Sequence, residues 1–153
     1  TSLKPLRSNG KLIITIIKRT GSREVSNHQE LVSALQEKYK PIATVYEFVK
    51  ENMMDSVRTF ENTDILIGPH GAGLSNMLYM HPDRGILEMM VVGKDVNACY
   101  MYMALKLGLR YHTWGDPKAT QNGKMTANID EINNIVKMIL DKMNMINLVP
   151  GHH

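Results

Sequence analysis

The sequence of 153 residues has a single cysteine, Cys99, and no long run of apolar residues. One cysteine excludes a disulfide within the chain, and the helical apolar pattern around Cys99 predicts a thiol buried in a hydrophobic core. A membrane-spanning helix needs about 20 consecutive apolar residues, and no segment of the chain comes near that length. The sequence therefore predicts no direct contact of this segment with a membrane.

An excess of charge of one sign is also missing, because the formal net charge is only +3 and both signs are scattered along the chain. Domains that bind nucleic acid usually carry a strong basic patch, so this balance argues against nucleic acid as a partner. The one basic cluster, KRTGSR at 18–23, is short and follows an apolar run. Such a cluster favours a local site for a small anion.

What the sequence does have is an alternation of apolar runs and helical patterns. The run KLIITII at 11–17 is continuous and β-branched, which is typical of a parallel strand that is covered on both faces. Strands are predicted at 11–17, 42–48, 64–68, 85–92 and 110–114. Helices are predicted at 28–39, with Asn27 as the N-cap, and at 55–61, 73–80, 96–107 and 130–143. The alternation predicts an α/β fold, a Rossmann-like three-layer sandwich with a five-stranded parallel sheet.

The common strand order for such a sheet is 2-1-3-4-5, and we predict that order here. Its switch point lies between strands 1 and 3, where the loops at the carboxyl ends of the strands diverge and leave a crevice for a ligand. The loop after strand 1 is KRTGSR at 18–23, and the loop after strand 3 is GPHGAG at 68–73. We expect these two loops to meet at the crevice.

The second loop has features that suit a phosphate group. A helix N-terminus exposes unpaired N–H groups and attracts phosphate if the phosphate can approach closely. Gly71, Ala72 and Gly73 allow that approach, and Ser75 lies in the first helical turn, where its hydroxyl can add a donor. His70 stands just before the helix, where a neutral ring could donate one hydrogen bond and a charged ring could add charge.

From the first loop, Arg19 and Arg23 could bind the same anion, since each guanidinium offers paired donors. Tight packing would also explain the glycines, a structural role would explain His70, and a solvated turn would explain the arginines. The joint placement of these residues at one crevice favours an anion site. No Walker loop, dinucleotide fingerprint, Gly-x-Ser-x-Gly elbow, Asp-x-Asp or other recognised metal-ligand spacing occurs.

The segment NTDILIGPHGAGLSNMLYMHPDRGILEM at 62–89 resembles the donor-binding segment of glycosyltransferase family 61. In that family a Thr-Asp pair, an apolar strand, His-Gly-Ala-Gly-Leu and an apolar strand with Glu follow in this order. Upstream, the family's Arg-x-x-x-Arg-x-x-x-Asn-x-x-Glu stretch is matched by Arg19, Arg23, Asn27 and Glu30. Downstream, its Gly-x-x-Tyr-x-x-Trp strand is matched by Gly108, Tyr111 and Trp114. The similarity runs in collinear order over residues 11–140.

The resemblance implies a GT-B enzyme, which has two Rossmann-like halves and holds a UDP-sugar donor mainly on its C-terminal half. It implies inversion at the anomeric carbon, no cofactor and no required metal. Residues 1–150 would be the C-terminal half and 151–153 a tag or tail; the partners would be the N-terminal half of the same enzyme and a protein or glycan that accepts the sugar. The donor-binding residues carried over are Arg19, Arg23, Asn27, His70, Gly71, Ala72, Gly73, Leu74, Ser75 and Glu88, with Glu88 a candidate for the ribose.

The catalytic base is not assigned, and in a two-domain enzyme it can lie on the other half. We therefore expect the chain to bind a nucleotide and not to transfer sugar by itself. Two alternatives stay open at this stage: a catalytically silent module that binds a nucleotide or phosphate, and a flavodoxin-like scaffold whose glycines are purely structural. The compartment implied is the ER or Golgi lumen for a eukaryotic source and the cytoplasm for a bacterial one.

Overall fold

The computed structural model describes residues 10–93, 95, 97–119 and 123–143. The strands are β1 (Leu12–Ile17), β2 (Ala43–Phe48), β3 (Ile65–Pro69), β4 (Gly85–Val91) and β5 (Arg110–Asp116). The α-helices are α1 (His28–Tyr39), α2 (Met53–Glu61), α3 (Cys99–Lys106) and α4 (Ile129–Lys142), and a 3₁₀ helix covers Ala72–Tyr79. The predicted segments therefore correspond to observed elements to within a few residues. The predicted tail at 151–153 lies outside the described residues.

The five strands form one sheet in the order β2-β1-β3-β4-β5, and every neighbouring pair is parallel. This confirms the predicted fold class and strand order. β1 lies between β2 and β3, so that Ile14 is paired with Val45 on one side and with Ile65 on the other. All five residues of β3 are buried, which explains why its sequence is continuously apolar.

The sheet divides the hydrophobic core into two layers because successive residues of a strand point to opposite faces. Ile16 packs into the cluster that α1 and α4 cover, while the next residue, Ile17, packs into the cluster on the other face. On that second face Phe60 of α2 and Leu74 of the 3₁₀ helix are fully buried. The molecule is thus a three-layer sandwich, as predicted.

A helix is present after β3, as predicted, and its hydrogen-bonding period is that of a 3₁₀ helix. The Leu74 N–H donates to the Gly71 carbonyl at 3.0 Å, three residues back. The side chains of Ser75 and Asn76 also donate to carbonyls three residues back, Ser75 Oγ to Ala72 at 2.5 Å and Asn76 Nδ2 to Gly73 at 2.9 Å. Side-chain bonds of this kind compete with the bonding pattern of an α-helix.

The prediction that Cys99 is a core thiol is wrong, because this residue is exposed. Cys99 is the first residue of α3, and Ala104, five residues further on, is the residue of that helix that is fully buried. The predicted apolar stripe begins at Val96, which lies outside the described residues. Within the described part of the chain, every helix falls short of the length and hydropathy that a membrane span requires.

Candidate functional site

Arg19 connects the loop after β1 to the loop after β3 at the carboxyl edge of the sheet. Its Nη1 donates a hydrogen bond of 2.6 Å to the carbonyl oxygen of His70. Its Nη2 lies 3.4 Å from Ser22 Oγ. Among the residues that the structure describes, no carboxylate forms an ion pair with this guanidinium. The positive charge of Arg19 is therefore available to an anion.

Gly71 makes this contact possible. Its φ of 152° and ψ of 176° lie in a region of backbone space that is essentially restricted to glycine. A Cβ at this position would lie 2.1 Å from Nη1 of Arg19. The glycine thus permits both the backbone conformation and the close approach of the guanidinium.

A pocket of about 490 Å³ opens beside this contact, between the ends of β1 and β2 and the turn after β3. Its wall carries the cations Lys18, Arg19 and Lys50 and one carboxylate, that of Glu51, and residues 71–73 also line it. Lys18 lies 4.0 Å from a carboxylate oxygen of Glu47 at the end of β2. The pocket is of the size that small-molecule ligands occupy, and it lies at the predicted switch point.

Sequence reasoning missed Lys50, although a signal for it was present. Lys50 follows the last residue of β2 by two positions. The order 2-1-3 places the end of β2 beside the loop at 18–23, so a cation at this position is expected to face the same crevice.

His70 and Glu88 form the second part of the site. His70 Nδ1 lies 2.5 Å from Glu88 Oε2, and the Tyr111 hydroxyl donates to Glu88 Oε1. The Tyr100 ring packs edge-on against the His70 ring, with centroids 5.2 Å apart. Glu88 is fully buried, and burial together with the bond to Glu88 raises the pKa of Tyr111. Burial also raises the pKa of Tyr100.

Arg23 lies at the same edge but its charge is already paired. Its Nε and Nη2 each lie 2.7 Å from Oδ1 of Asp95, and the other oxygen of Asp95 accepts the Val91 N–H at 2.8 Å. Burial of Asp95 opposes its ionisation, but the hydrogen bonds from Arg23 and Val91 outweigh burial and hold the pKa of Asp95 below its ordinary value. The bond to Asp95 raises the pKa of Arg23. Arg23 therefore ties the loop after β1 to the loop after β4.

Comparison with known proteins identifies the family. The model of the Glycosyltransferase 61 family matches residues 3–87, a span that includes both loops of the site. The chain belongs to glycosyltransferase family 61. The resemblance drawn from the motifs is thereby confirmed.

Two relatives within family 61 illustrate the similarity, and both are named EGF domain-specific O-linked N-acetylglucosamine transferase. The protein of Rattus norvegicus is 34% identical over 112 residues, which are 71% of this chain and 21% of the relative. That of Drosophila melanogaster is 36% identical over 107 residues, which are 68% of this chain and 20% of the relative. The chain thus spans about a fifth of the length of these relatives.

One solved structure shares the fold alone. The lysine decarboxylase LdcF of Francisella novicida superposes with a TM-score of 0.53 at 11% sequence identity, over 88% of this chain and 18% of the decarboxylase. At that identity the likeness carries no information on function.

The structure brings together only part of the set of donor-binding residues that the resemblance to family 61 implies. Gly71, Ala72 and Gly73 line the pocket with Arg19. His70 lies beside them, with its carbonyl bonded to Arg19 and its ring directed to Glu88. These positions match the prediction that the two loops meet.

Other members of the family 61 set are engaged inside the protein. The Leu74 side chain is fully buried in the core, so only its backbone lies near the turn. The Ser75 hydroxyl is bonded to its own helix. Glu88 is hydrogen-bonded to the ring of His70. Its contact with a ribose stays a prediction, as do the ligand contacts of the other residues in the set.

Asn27 occupies the N-cap position of α1, but the prediction that its side chain caps the helix is wrong. Its Nδ2 donates to the Ala127 carbonyl at 2.9 Å, and its Oδ1 accepts the Ala127 N–H at 2.7 Å. Both polar atoms of the amide therefore fasten the segment before α4. The oxygen that would accept an N–H of the first turn of α1 is bonded to Ala127, while Nδ2 also lies 3.5 Å from Glu30 Oε2 in that turn.

Proposed function

We propose that this family 61 chain holds the diphosphate of a UDP-sugar donor in the crevice between β1 and β3. The observation that carries the proposal is the guanidinium of Arg19, which lies beside the turn at 71–73 and has no carboxylate partner within the described residues. Lys18 and Lys50 add positive charge to the same pocket. Guanidinium groups suit diphosphates because their donors match two phosphate oxygens at once.

The proposed reaction is transfer of the sugar to a hydroxyl of a protein or glycan, with inversion and without a metal. As the bond between sugar and nucleotide breaks, negative charge grows on the diphosphate. Cations and N–H groups fixed at that place stabilise the charge more in the transition state than in the ground state. One such donor typically contributes about 3 kcal/mol to lowering the barrier.

The rest of the enzyme would supply the acceptor site and the catalytic base. The chain spans about a fifth of its relatives, and we propose that it binds the donor without transferring sugar by itself. The relatives are named as N-acetylglucosamine transferases, so UDP-N-acetylglucosamine is the first donor to test. Release of free sugar or glycosylated acceptor by the chain alone would contradict this division of labour.

Calorimetric titration with UDP tests the anion site directly. A charge-assisted hydrogen bond contributes about 1.5 to 3 kcal/mol, so we expect Arg19→Gln to weaken UDP binding by about tenfold or more. Lys50→Gln removes a more exposed charge and should weaken binding by about threefold, or roughly 0.7 kcal/mol.

Lys106→Gln is the matched control for these variants. Lys106 is an exposed lysine at the end of α3. Two residues later, the carbonyl of Gly108 accepts the N–H of Asp83, which lies just before β4. Lys106 therefore lies at the amino edge of the sheet, opposite the crevice, and its loss should leave UDP affinity unchanged. A folded Arg19→Gln variant that binds UDP as tightly as the unaltered chain would refute the proposed site.

A further inference from the structure

The hydrogen bonds around Glu88 indicate which nitrogen of His70 carries a proton. An ionised carboxylate can only accept hydrogen bonds, whereas a tyrosine hydroxyl and an imidazole N–H can donate them. Glu88 Oε1 accepts from the Tyr111 hydroxyl, and Oε2 lies 2.5 Å from His70 Nδ1. Both contacts are satisfied when Glu88 is a carboxylate and Nδ1 of His70 carries the proton.

This arrangement has a consequence for the other ring nitrogen. In a neutral imidazole one nitrogen donates and the other accepts, so a ring protonated at Nδ1 presents Nε2 as an acceptor. None of the described residues bonds to Nε2 of His70, and the side chain is 12% exposed. The Nε2 atom can therefore meet a ligand, but a neutral ring would turn a lone pair towards a phosphate oxygen.

The charged groups around the ring come from several elements. Arg19 reaches the His70 carbonyl from the loop after β1, and Asp95, in the loop after β4, is close enough for His70 to lower its pKa. Tyr100 of α3 contacts the ring edge-on, and Tyr111 of β5 reaches Glu88. Of these groups, Glu88 is the one bonded to the ring itself.

We propose that Glu88 is a positioning residue that fixes His70 as the Nδ1–H tautomer, so that His70 binds an anion only as an imidazolium, through Nε2–H. The identity of the anion, the diphosphate of the donor, rests on the proposed function. The tautomer does not rest on it. Of the two roles expected from the sequence for His70, a neutral ring that donates a hydrogen bond and a charged ring, this proposal keeps the charged ring.

The chain contains an internal control for the tautomer. His28 on α1 pairs with Glu47 on β2, but there the bonded atom is Nε2, 2.7 Å from Glu47 Oε2. Each carboxylate draws the proton to the nitrogen that faces it. His70 and His28 are therefore expected to be opposite tautomers in the same molecule.

Long-range ¹⁵N–¹H spectra of the chain labelled at histidine nitrogens report which ring nitrogen carries the proton. At a pH high enough for these spectra to show both rings neutral, we expect Nδ1–H for His70 and Nε2–H for His28. In Glu88→Gln, the Tyr111 hydroxyl takes the amide oxygen and leaves the NH₂ group facing Nδ1. The His70 ring should then switch to Nε2–H while His28 is unchanged.

Either of two spectra would overturn the proposal: Nε2–H for His70 in the unaltered chain, or Nδ1–H for His70 retained in Glu88→Gln. The first spectrum needs no variant, so it remains decisive if Glu88→Gln does not fold.

Proton uptake during UDP binding tests the anion-binding half of the proposal. Calorimetry in two buffers of different ionisation enthalpy, at a pH at which the ¹⁵N spectra show a neutral His70 ring, should show uptake of up to one proton per chain on UDP binding. Glu88→Gln should take up less, because its neutral ring already carries Nε2–H. UDP binding without proton uptake would overturn the anion role of His70, whereas absence of UDP binding with the Nδ1–H tautomer present would refute the proposed donor site and leave the tautomer standing.

Discussion

At the scale of single residues, the proposed site depends most on the contact between Gly71 and Arg19. The glycine is needed for its backbone conformation and for the space above its Cα, which the guanidinium fills. The sequence predicted that glycines here allow close approach of another group. It could not predict that a side chain of the same protein makes that approach, because residues 19 and 71 are 52 positions apart and no local pattern couples them.

Replacing Gly71 with Ala tests that contact. The strained backbone and the clash with Arg19 Nη1 should lower the free energy of unfolding by about 1 to 3 kcal/mol. The displaced guanidinium should also weaken UDP binding by about tenfold. Urea unfolding and calorimetry measure the two effects.

Gly10→Ala separates strain from the loss of the contact. Gly10 has a φ of 69°, and nothing lies within 4 Å of a Cβ built there, so alanine at this position introduces strain without a clash. It should lower stability by about 1 kcal/mol and leave UDP affinity intact. If Gly71→Ala behaves like Gly10→Ala in the binding measurement, the contact with Arg19 has no part in the site.

At the scale of elements, the loops at the carboxyl edge are held to one another by polar contacts. Arg23, in the loop after β1, pairs with the buried Asp95, which in turn accepts the N–H of Val91 at the end of β4. A buried carboxylate that accepts these bonds stabilises the folded state only while it is ionised. The contribution of this pair should therefore depend on pH.

Asp95→Asn tests that dependence. Because the pKa of Asp95 is lowered in the folded state, its contribution is present above the pKa of an unfolded aspartate, about 4, and is lost as the pH falls below that value. At pH 7 the variant should be less stable than the unaltered chain by about 1 to 3 kcal/mol in urea unfolding. At pH 3 the difference should narrow.

An exposed aspartate on α4, Asp130, supplies the control for this experiment. Asp130→Asn should change stability by less than about 0.5 kcal/mol at pH 7. A difference between Asp95→Asn and the unaltered chain that is equally large at pH 3 and pH 7 would show that the carboxylate charge of Asp95 does not stabilise the loops.

The elements also show what sequence patterns can and cannot predict. β1, β3 and β4 were predicted closely because parallel strands buried on both faces give nearly continuous apolar runs. The 3₁₀ helix was predicted only as a helix, since its period depends on side-chain bonds such as that of Ser75 to Ala72. Cys99 was placed in the core because periodicity shows which residues share a helix face and not where along the helix that face is covered.

At the scale of the whole molecule, the strand order accounts for the location of the site. With β1 and β3 adjacent at the centre, the loops that follow them must meet at one edge, and Arg19 and His70 do so. The meeting of these two loops was predicted from the sequence, because the strand order predicts which loops are neighbours. The pairs Arg23–Asp95 and His70–Glu88 did not follow from it, because strand order fixes neither the register of β3 against β4 nor the conformation of the loop at 18–23.

The central claim is that Arg19 and the backbone of residues 71–73 bind a single diphosphate, and amide NMR during titration with UDP tests it most directly. Saturable shifts with one-to-one stoichiometry are expected at residues 19–23 and 70–76 and beside Lys50. The amide chemical shifts at 106–109, at the opposite edge of the sheet, should not change. Shifts spread over both edges, or no response of the amides at 19 and 71–73 to millimolar UDP, would contradict the account.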